Sequence, residues 1–338
     1  MHPTSTRSAH GPTQARTGRR RHREILALLA ALACLAGFAV AELKPSPSGP
    51  AMSPPAPVTP AAGRTAAARR ERLTAVSWPA DGVSAADISG FGVVAGPGAT
   101  RPVPIASVAK VMTAYVVLHD HPLPPGGSGP DITVRPSEAA AYPSQARDGD
   151  SVVPVVAGER LTERQALEAL LLPSADNMAW ILARWDAGSQ AAFVARMNAA
   201  ARRLGMTGTS YTDPSGLDPS TVSTAADQVR LGMAAMGVPA LAAIAAMPTA
   251  VVPVAGLVRN YNTLLGQDGI AGLKTGSTQA AGGCVVIAAW HPAGANRTLI
   301  IAATFGQPGT AQTILPNALQ AGQMLLLGLD RALGHGRR

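Results

Sequence analysis

The segment Pro104–Tyr115 (PIASVAKVMTAY) places a serine and a lysine inside an otherwise apolar run. Ser107 and Lys110 are three residues apart, so on a helix they share one face, with Cβ atoms roughly 5–6 Å apart. An apolar helix is a buried helix, and its N-terminus carries positive potential that favours an alkoxide and disfavours an ammonium. The segment therefore predicts a buried helix whose first turn holds a nucleophile and a candidate base.

Lysine is rare in this chain, which gives Lys110 additional weight. The chain has 28 basic residues, and only Lys44, Lys110 and Lys274 are lysines. Arginine cannot be deprotonated in a protein, whereas the pKa of a lysine can be tuned until it acts as a base. We therefore predict that the two lysines of the globular part are present for their chemistry.

The net charge of +8 is confined to the N-terminal part of the chain. Residues 1–75 hold ten Arg and one Lys against three Glu, whereas residues 76–338 hold 17 basic and 17 acidic side chains. A nucleic-acid-binding domain carries its basic excess on the folded surface. The sequence therefore argues against nucleic acid as a partner.

The cysteines and histidines give no framework for a disulfide or a metal site. Cys34 lies in an apolar N-terminal run, and Cys284 lies in an apolar strand pattern, where a small core residue is expected. The triplet His119-Asp120-His121 has no accompanying ligand cluster and predicts a solvated loop. We expect no metal and no organic cofactor, and the few histidines disfavour a Ser-His-Asp hydrolase.

The N-terminal composition predicts export. Residues 1–24 form a basic tail, residues 25–41 are 17 apolar residues ending in Ala39-Val-Ala41, and residues 42–75 form a Pro/Ala-rich linker. The apolar run fits a secretory signal and also reaches the lower limit of a membrane span. A retained anchor is slightly favoured over cleavage. Both alternatives place the domain expected at residues 76–335 outside the cytoplasm.

Periodicity along the domain predicts a mixed α/β architecture. A strand at residues 91–95 precedes the Ser107 helix, and a loop-rich region follows with β-like pieces at 132–134 and 151–156. Helices are then predicted at 161–172 (with Thr162 as cap), at 178–185 and at 189–204, and a further helix begins at Ser223 or Thr224. They are followed by a strand at 251–258, a hairpin formed by 284–290 and 298–305, and a helix at 311–333. This order predicts a mixed sheet with helices packed on it.

Two further motifs follow Ser107-x-x-Lys110: Ser174-Ala-Asp176-Asn177 and Lys274-Thr275-Gly276. With the flanks LEALLLPSADN, LGMTGTSYTDPSGLD and GIAGLKTGSTQAAGGC, they resemble the serine D-alanyl-D-alanine carboxypeptidases, the low-molecular-mass penicillin-binding proteins, over most of residues 76–330. The resemblance implies a β-lactamase/DD-peptidase-like fold, a mostly antiparallel sheet flanked by helices plus a mainly helical subdomain. It also implies peptidoglycan stem peptides as substrates and β-lactam antibiotics as covalent inhibitors.

The resemblance assigns catalytic roles to three residues. Ser107 is expected to attack the carbonyl between the two terminal D-alanines and form an acyl-enzyme that water hydrolyses. Lys110 is expected to take the Ser107 proton, which requires its amine to be neutral, and burial, the helix dipole and the Lys274 cation favour that form. Ser174, on the opposite wall, is expected to relay a proton to the leaving amine.

Substrate-binding roles fall on the third motif and the residues near it. Lys274 and Thr275 are expected to bind the terminal carboxylate, and Gly276 lets the peptide approach the edge strand closely. The backbone N–H groups of Ser107 and Thr278 are expected to form the oxyanion hole.

One position departs from the family pattern, which usually has asparagine where this chain has Asp176. Either Asp176 replaces the amide, or a small shift lets Asn177 supply it, and both are candidate substrate-binding residues. An aspartate between Lys110 and Lys274 is expected to pair with both. We hypothesise that it stabilises the ammonium form of Lys110 and slows catalysis.

Three alternatives stay open at this point. A class A β-lactamase uses a glutamate after the middle motif to activate the deacylating water, and no glutamate follows Glu168 in this chain. An endopeptidase that cuts cross-links differs only in the walls of its pocket. A non-catalytic, wall-binding relative is disfavoured by the intact Ser107, Lys110 and Lys274, whereas Asp176 keeps that alternative open.

Overall fold

The computed structural model describes residues 71–73, 75–293 and 296–334. The strands of this part are short except near its C-terminal end, where three of them carry the third motif and the predicted hairpin. In chain order they are β1 (Val83–Ile88), β2 (Gly92–Ala95), β3 (Val103–Pro104), β4 (Asp131–Thr133), β5 (Arg160–Thr162), β6 (Val222–Ser223), β7 (Thr249–Val252), β8 (Gly256–Arg259), β9 (Ile270–Thr278), β10 (Gly282–Ala293) and β11 (Asn296–Gln307).

The helices lie mainly between β3 and β7, and one long helix follows β11. A 3₁₀ turn (Ala106–Ala109) leads directly into the first α-helix. The α-helices are α1 (Lys110–Asp120), α2 (Pro136–Asp148), α3 (Glu163–Leu171), α4 (Asp176–Ala187), α5 (Gln190–Arg203), α6 (Ala225–Met236), α7 (Pro239–Ala245) and α8 (Ile314–Ala332).

A five-stranded antiparallel sheet in the order β2-β1-β11-β10-β9 separates two apolar layers. Successive side chains on a strand point to opposite faces. On β10, Val286 joins the layer formed with α1, α3, α4 and α6, whereas Val285 joins the layer formed with α8. Strand β9 lies at one edge of the sheet, beside the 3₁₀ turn. Helices pack on the sheet as predicted, but the sheet is antiparallel throughout, as the resemblance implied, and not mixed.

The region predicted as loop-rich contains a helix that periodicity did not indicate. Helix α2 begins with Pro136 in its first turn, and the Arg135 N–H donates to the Glu138 carboxylate at 2.8 Å. Pro143 lies inside the helix, and no α2 side chain is fully buried, so the apolar stripe that marks a helix in a sequence is missing. The prediction of loop at residues 136–148 was wrong for that reason.

The β-like piece predicted at residues 151–156 is not a strand in the structure. Its backbone is extended but bonds to the start of α4 instead of to a neighbouring strand. The Asp176 N–H donates to the Ser151 carbonyl at 2.6 Å, and the Asn177 side chain bonds to both backbone groups of Val153. An amide side chain thus takes the place of a strand partner.

The predicted strand at residues 251–258 is instead the hairpin of β7 and β8, in which Val251 lies opposite Leu257. Helices α3, α4, α5, α6 and α8 and the C-terminal hairpin agree with the predictions within a few residues, whereas α7 was not predicted. Thr162 caps α3, as predicted, and the cap of α6 is Thr224.

The predicted basic tail and apolar segment, and the linker up to residue 70, lie outside the described residues. Within the described part, no helix by itself is long and apolar enough for a membrane span. Taken together, α6 and α7 reach that length across a bend of 107°.

Replacing Thr162 by alanine should destabilise the fold by about 1 kcal/mol. The Thr162 hydroxyl accepts the Gln165 N–H at 3.2 Å, while the Gln165 side chain accepts the Thr162 N–H at 3.0 Å, so the change leaves a donor of the first turn of α3 without its partner. Urea denaturation measures the difference. Thr162→Ser keeps the hydroxyl and is the matched control, and equal stability of the two variants would contradict the capping role.

Candidate active site

Ser107 lies in the 3₁₀ turn that precedes α1. In a 3₁₀ helix the side chains at i and i+3 eclipse each other, and the Lys110 amine accordingly lies 2.7 Å from the Ser107 hydroxyl oxygen. Ser107 is partly exposed while its neighbours Ala106 and Val108 are buried. The predicted contact between the two residues is present, in a tighter turn than the α-helical one that the spacing predicted.

The Lys110 amine is completely buried and lies within hydrogen-bond distance of four oxygens. Besides Ser107, it contacts the Ser174 hydroxyl at 3.4 Å, the Asp176 carboxylate at 2.6 Å and the Ser215 carbonyl at 3.2 Å. A buried ammonium is stable only when such partners replace its water. The four partners belong to three separate parts of the chain, which Lys110 brings to one point.

Ser174 and Asp176 reach Lys110 from the turn that starts α4. Ser174 has a positive φ of 65°, which aims it at Lys110, and the residue that caps α4 is Ala175. The Ser174 and Asp176 side chains are both almost fully buried. One Asp176 oxygen accepts from Lys110, and the other accepts the Ser151 N–H at 3.1 Å.

A turn at residues 213–217 supplies a contact that the sequence interpretation missed. The Asp213 carboxylate accepts the N–H groups of Ser215, Gly216 and Leu217, which turns the Ser215 carbonyl toward Lys110. Gly216 has a φ of 81°, and a Cβ there would collide with the Ala106 carbonyl, so the position requires glycine. The flank YTDPSGLD contained the signal, but the sequence interpretation assigned no role to Ser215.

Strand β9 forms the other wall of the cleft. Gly276 packs so closely on the nucleophile turn that a Cβ would come within 2.8 Å of the Ser107 nitrogen and 3.0 Å of the Val108 nitrogen. Lys274 lies two residues earlier on the same face of the strand and is buried. Its amine donates to the Thr275 carbonyl at 2.9 Å. The serine turn and the lysine of the third motif therefore border one cleft.

Burial is the main reason why the pKa of Lys274 is lowered well below that of an ordinary lysine. The Lys110 cation lowers the Lys274 pKa further, and the Asp176 carboxylate opposes both effects. Asp150, near the same cleft, has a raised pKa because of partial burial and the neighbouring charges of Asp176 and Asp148. Two buried amines and the buried Asp176 carboxylate thus lie close enough to influence one another, with Asp150 near them.

The side chains of three predicted site residues, Asn177, Thr275 and Thr278, do not point toward Ser107 and Lys110. The Asn177 amide bonds to Val153 at both ends (2.8 and 3.2 Å), so the idea that Asn177 supplies the amide of the second motif is corrected, and Asp176 holds that place. Thr275 is buried opposite Val285 on the alternate face of β9. The Thr278 hydroxyl accepts the Ala281 N–H at 3.1 Å. The substrate-binding roles of Thr275 and Thr278 stay predictions.

The predicted solvated loop at residues 119–121 is mostly the end of α1. The His119 ring lies 3.1 Å from Asp120, and the His121 ring lies 3.0 Å from Asp186. Among the residues that the structure describes, no group of three or more His, Cys, Asp or Glu side chains could hold a metal ion. Cys284 is buried, as predicted.

A serine beside a buried lysine, facing a glycine on an edge strand, is an arrangement for acyl transfer. The whole fold is similar to the crystal structure of the Streptomyces K15 DD-transpeptidase, with a TM-score of 0.64 over 76% of this chain and 100% of that chain, at 23% identity. It is also similar to a D-alanyl-D-alanine carboxypeptidase structure from Mycobacterium tuberculosis H37Rv, with a TM-score of 0.61 at 32% identity over 78% of this chain and 94% of that chain. The fold is that of the DD-peptidases.

Sequence comparison identifies the family. Residues 85–308 match the peptidase family S11, described as D-alanyl-D-alanine carboxypeptidase, and the chain belongs to this family. It is 37% identical over 235 residues to the D-alanyl-D-alanine carboxypeptidase DacB2 of Mycobacterium tuberculosis, covering 68% of this chain and 75% of that protein. It is 37% identical over 192 residues to a D-alanyl-D-alanine endopeptidase of Pseudomonas aeruginosa, covering 55% of this chain and 59% of that protein.

Replacing Gly276 by alanine should lower the rate of Ser107 acylation by penicillin by about tenfold or more, because the new methyl group separates β9 from the nucleophile turn. The loss of stability should stay at about 1–3 kcal/mol. Stopped-flow acylation and thermal unfolding measure the two effects. Ser277→Ala, at the exposed neighbour on the other face, is the control. An unchanged acylation rate in Gly276→Ala would show that this close contact does not matter.

Proposed function

We propose that this protein is a serine D-alanyl-D-alanine carboxypeptidase that removes the terminal D-alanine from peptidoglycan stem peptides. The observation that carries the proposal is the hydroxyl of the partly exposed Ser107 at 2.7 Å from the buried Lys110 amine, beside the edge strand that holds Lys274. Family membership and the relatives named as carboxypeptidases support the substrate class.

Acylation uses the first two motifs. Ser107 attacks the carbonyl carbon between the two D-alanines as its proton moves to Lys110. When the C–N bond breaks, Ser174 takes a proton from Lys110 and gives one to the leaving amine, for which its hydroxyl is placed 3.4 Å from the Lys110 amine. The first D-alanine leaves, and water then hydrolyses the ester on Ser107.

Strand β9 orients the substrate. Its Lys274 ammonium attracts the terminal carboxylate, and the strand edge aligns the peptide backbone. Gly276 packs closely against the Ser107 nitrogen, which places the end of β9 next to the nucleophile turn. We assign the oxyanion hole to the N–H of Ser107 together with an N–H at the end of β9, with Thr278 as the candidate.

The proposed location is outside the cytoplasm, where the substrate is found. Residues 1–41, a basic tail followed by 17 apolar residues, carry this part of the proposal as a signal or a membrane anchor. The linker at 42–75 joins them to the catalytic domain at 76–335. β-Lactam antibiotics, which resemble the terminal dipeptide, are the expected covalent inhibitors, and nucleic acid is not a partner.

A second candidate function is DD-endopeptidase activity on peptide cross-links. Relatives named D-alanyl-D-alanine endopeptidase in Pseudomonas aeruginosa and Escherichia coli favour it, at 37% and 34% identity. Both reactions use the same acyl-enzyme. Incubation with linear and cross-linked muropeptides separates them, because an endopeptidase releases monomers from dimers whereas a carboxypeptidase shortens pentapeptides.

Penicillin should form a stable adduct on Ser107 that intact-protein mass spectrometry detects. Ser107→Ala should lose the adduct entirely, whereas the control Ser277→Ala should keep it. Because no glutamate follows Glu168 to activate water, deacylation should be slow. Absence of an adduct in the unmodified protein would favour a non-catalytic, wall-binding role, and rapid turnover of a chromogenic cephalosporin would identify a β-lactamase.

Substrate binding should weaken as the pH rises through the lowered pKa of Lys274. The sign follows from the charge, because the ammonium present below that pKa attracts the substrate carboxylate, and the neutral amine present above it does not. The KM for a D-Ala-D-Ala peptide should therefore increase with pH. A peptide amidated at its C-terminus lacks this carboxylate and is the control. It should inhibit the enzyme only weakly, and its inhibition constant should not increase with pH. The same pH dependence for both peptides would contradict the role of Lys274.

A further inference from the structure

Asp176 makes the shortest contact of the Lys110 amine, at 2.6 Å, and both side chains are almost completely buried. The second Asp176 oxygen is held by the Ser151 N–H at 3.1 Å, so the carboxylate is fixed in place. It does not line the accessible part of the cleft as a substrate ligand would. Its placement points to a partnership with the base.

The hydrogen bonds of Lys110 limit how its amine can act as a base. An ammonium has three N–H donors and no acceptor, and here it faces four oxygens, one of them the Ser107 hydroxyl. An amine that donates to Ser107 cannot take a proton from it. Lys110 must therefore lose one proton before, or at the same time as, it takes the proton of Ser107. Because the amine is buried, bulk water is kept away from it and is not at hand to accept that proton.

We propose that the Asp176 carboxylate accepts this proton, so that Ser107 and Lys110 each pass one proton along in the same step. The Ser107 oxygen–carbon bond forms, the Ser107 proton moves to the Lys110 nitrogen, and a Lys110 proton moves to Asp176. When the C–N bond breaks, Lys110 supplies a proton through Ser174 to the leaving nitrogen, and Asp176 returns its proton to Lys110. Protons and charges balance at each stage.

Asp176 acts through Lys110 and not on the substrate, so it is a positioning residue that also stores a proton. This inference rests on the proposed acyl transfer at Ser107. It replaces the expectation that Asp176 only slows the enzyme: a carboxylate that holds the ammonium of Lys110 in the resting site is also the nearest group that can take its proton.

Charged groups surround the pair. Lys274 on β9 feels the Lys110 cation, which lowers its pKa, more strongly than the Asp176 anion, which raises it. In the proposed step Lys110 keeps its charge because it gains the Ser107 proton, and Asp176 loses its charge as the oxyanion forms, so the net charge beside Lys274 does not change. The other nearby titratable groups are Asp150, which senses both members of the pair, and Asp148 at the end of α2.

The test compares full-length native protein with Asp176→Asn in penicillin acylation rates between about pH 5 and pH 9. Asparagine has nearly the same shape and still offers an oxygen to Lys110, but it cannot store a proton. The rate at about pH 7 should fall by about 10²- to 10⁴-fold. The remaining rate should rise with pH, because Lys110 must then lose its proton to solvent, whereas the native rate should depend less on pH, because Asp176 takes that proton within the site.

Two further variants make the result specific. Asp150→Asn removes a negative charge from the same cleft without touching Lys110, and it should change the rate by less than about threefold. Asp176→Glu keeps a carboxylate and should keep the native shape of the pH profile, even at a lower rate. If Asp176→Asn does not fold, as melting curves will show, Asp176→Glu decides alone: an alkaline-rising profile in that variant overturns the relay.

Other outcomes also overturn the proposal. An Asp176→Asn protein that reacts as fast as the native protein, or faster, shows that the carboxylate is a brake. A loss by the same factor at every pH shows a structural role only. These failures differ from failure of the proposed function, in which penicillin leaves Ser107 of the native protein unlabelled.

Discussion

The burial of the Lys110 amine is the constraint on which the rest of the site depends. Removing a cation from water costs several kcal/mol unless well-placed partners replace its hydration. Those partners come from the 3₁₀ turn before α1, the turn before α4 and the turn at 213–217. The helical region must therefore close around one side chain, and in doing so it brings Ser107 and Ser174 to the positions that acyl transfer needs.

Much of this organisation could be predicted from the sequence. The order of three short motifs, the scarcity of lysine and the apolar periodicity of α3, α6 and the C-terminal hairpin are all local signals. Thr162 and Ser189 mark helix starts by side-chain caps, which a sequence displays directly. Ser107 and Lys110 were predictable because their contact spans only three residues.

The remainder depended on contacts between distant segments. Spacing alone did not decide between Asp176 and Asn177, because the choice follows from the extended segment at 151–153, which bonds to both. The Ser215 carbonyl is a backbone group and leaves no mark of its own in a residue pattern. Helix α2 lacks a buried stripe, and its start is stabilised by Glu138, which pairs with Arg184 of α4. Apart from the bond of the Arg135 N–H to Glu138, these contacts join segments that are distant in the sequence.

Strand β9 has a consequence beyond substrate orientation. It is an edge strand, and an exposed edge is a template for pairing with strands of other molecules, which leads to aggregation. Here the serine turn packs on the face of β9 at Gly276, and the strand carries an inward-pointing lysine near its centre. Inward-pointing charges are one means by which natural sheets avoid such pairing. The lysine that attracts a short peptide to this edge therefore also protects the protein from association with longer strands.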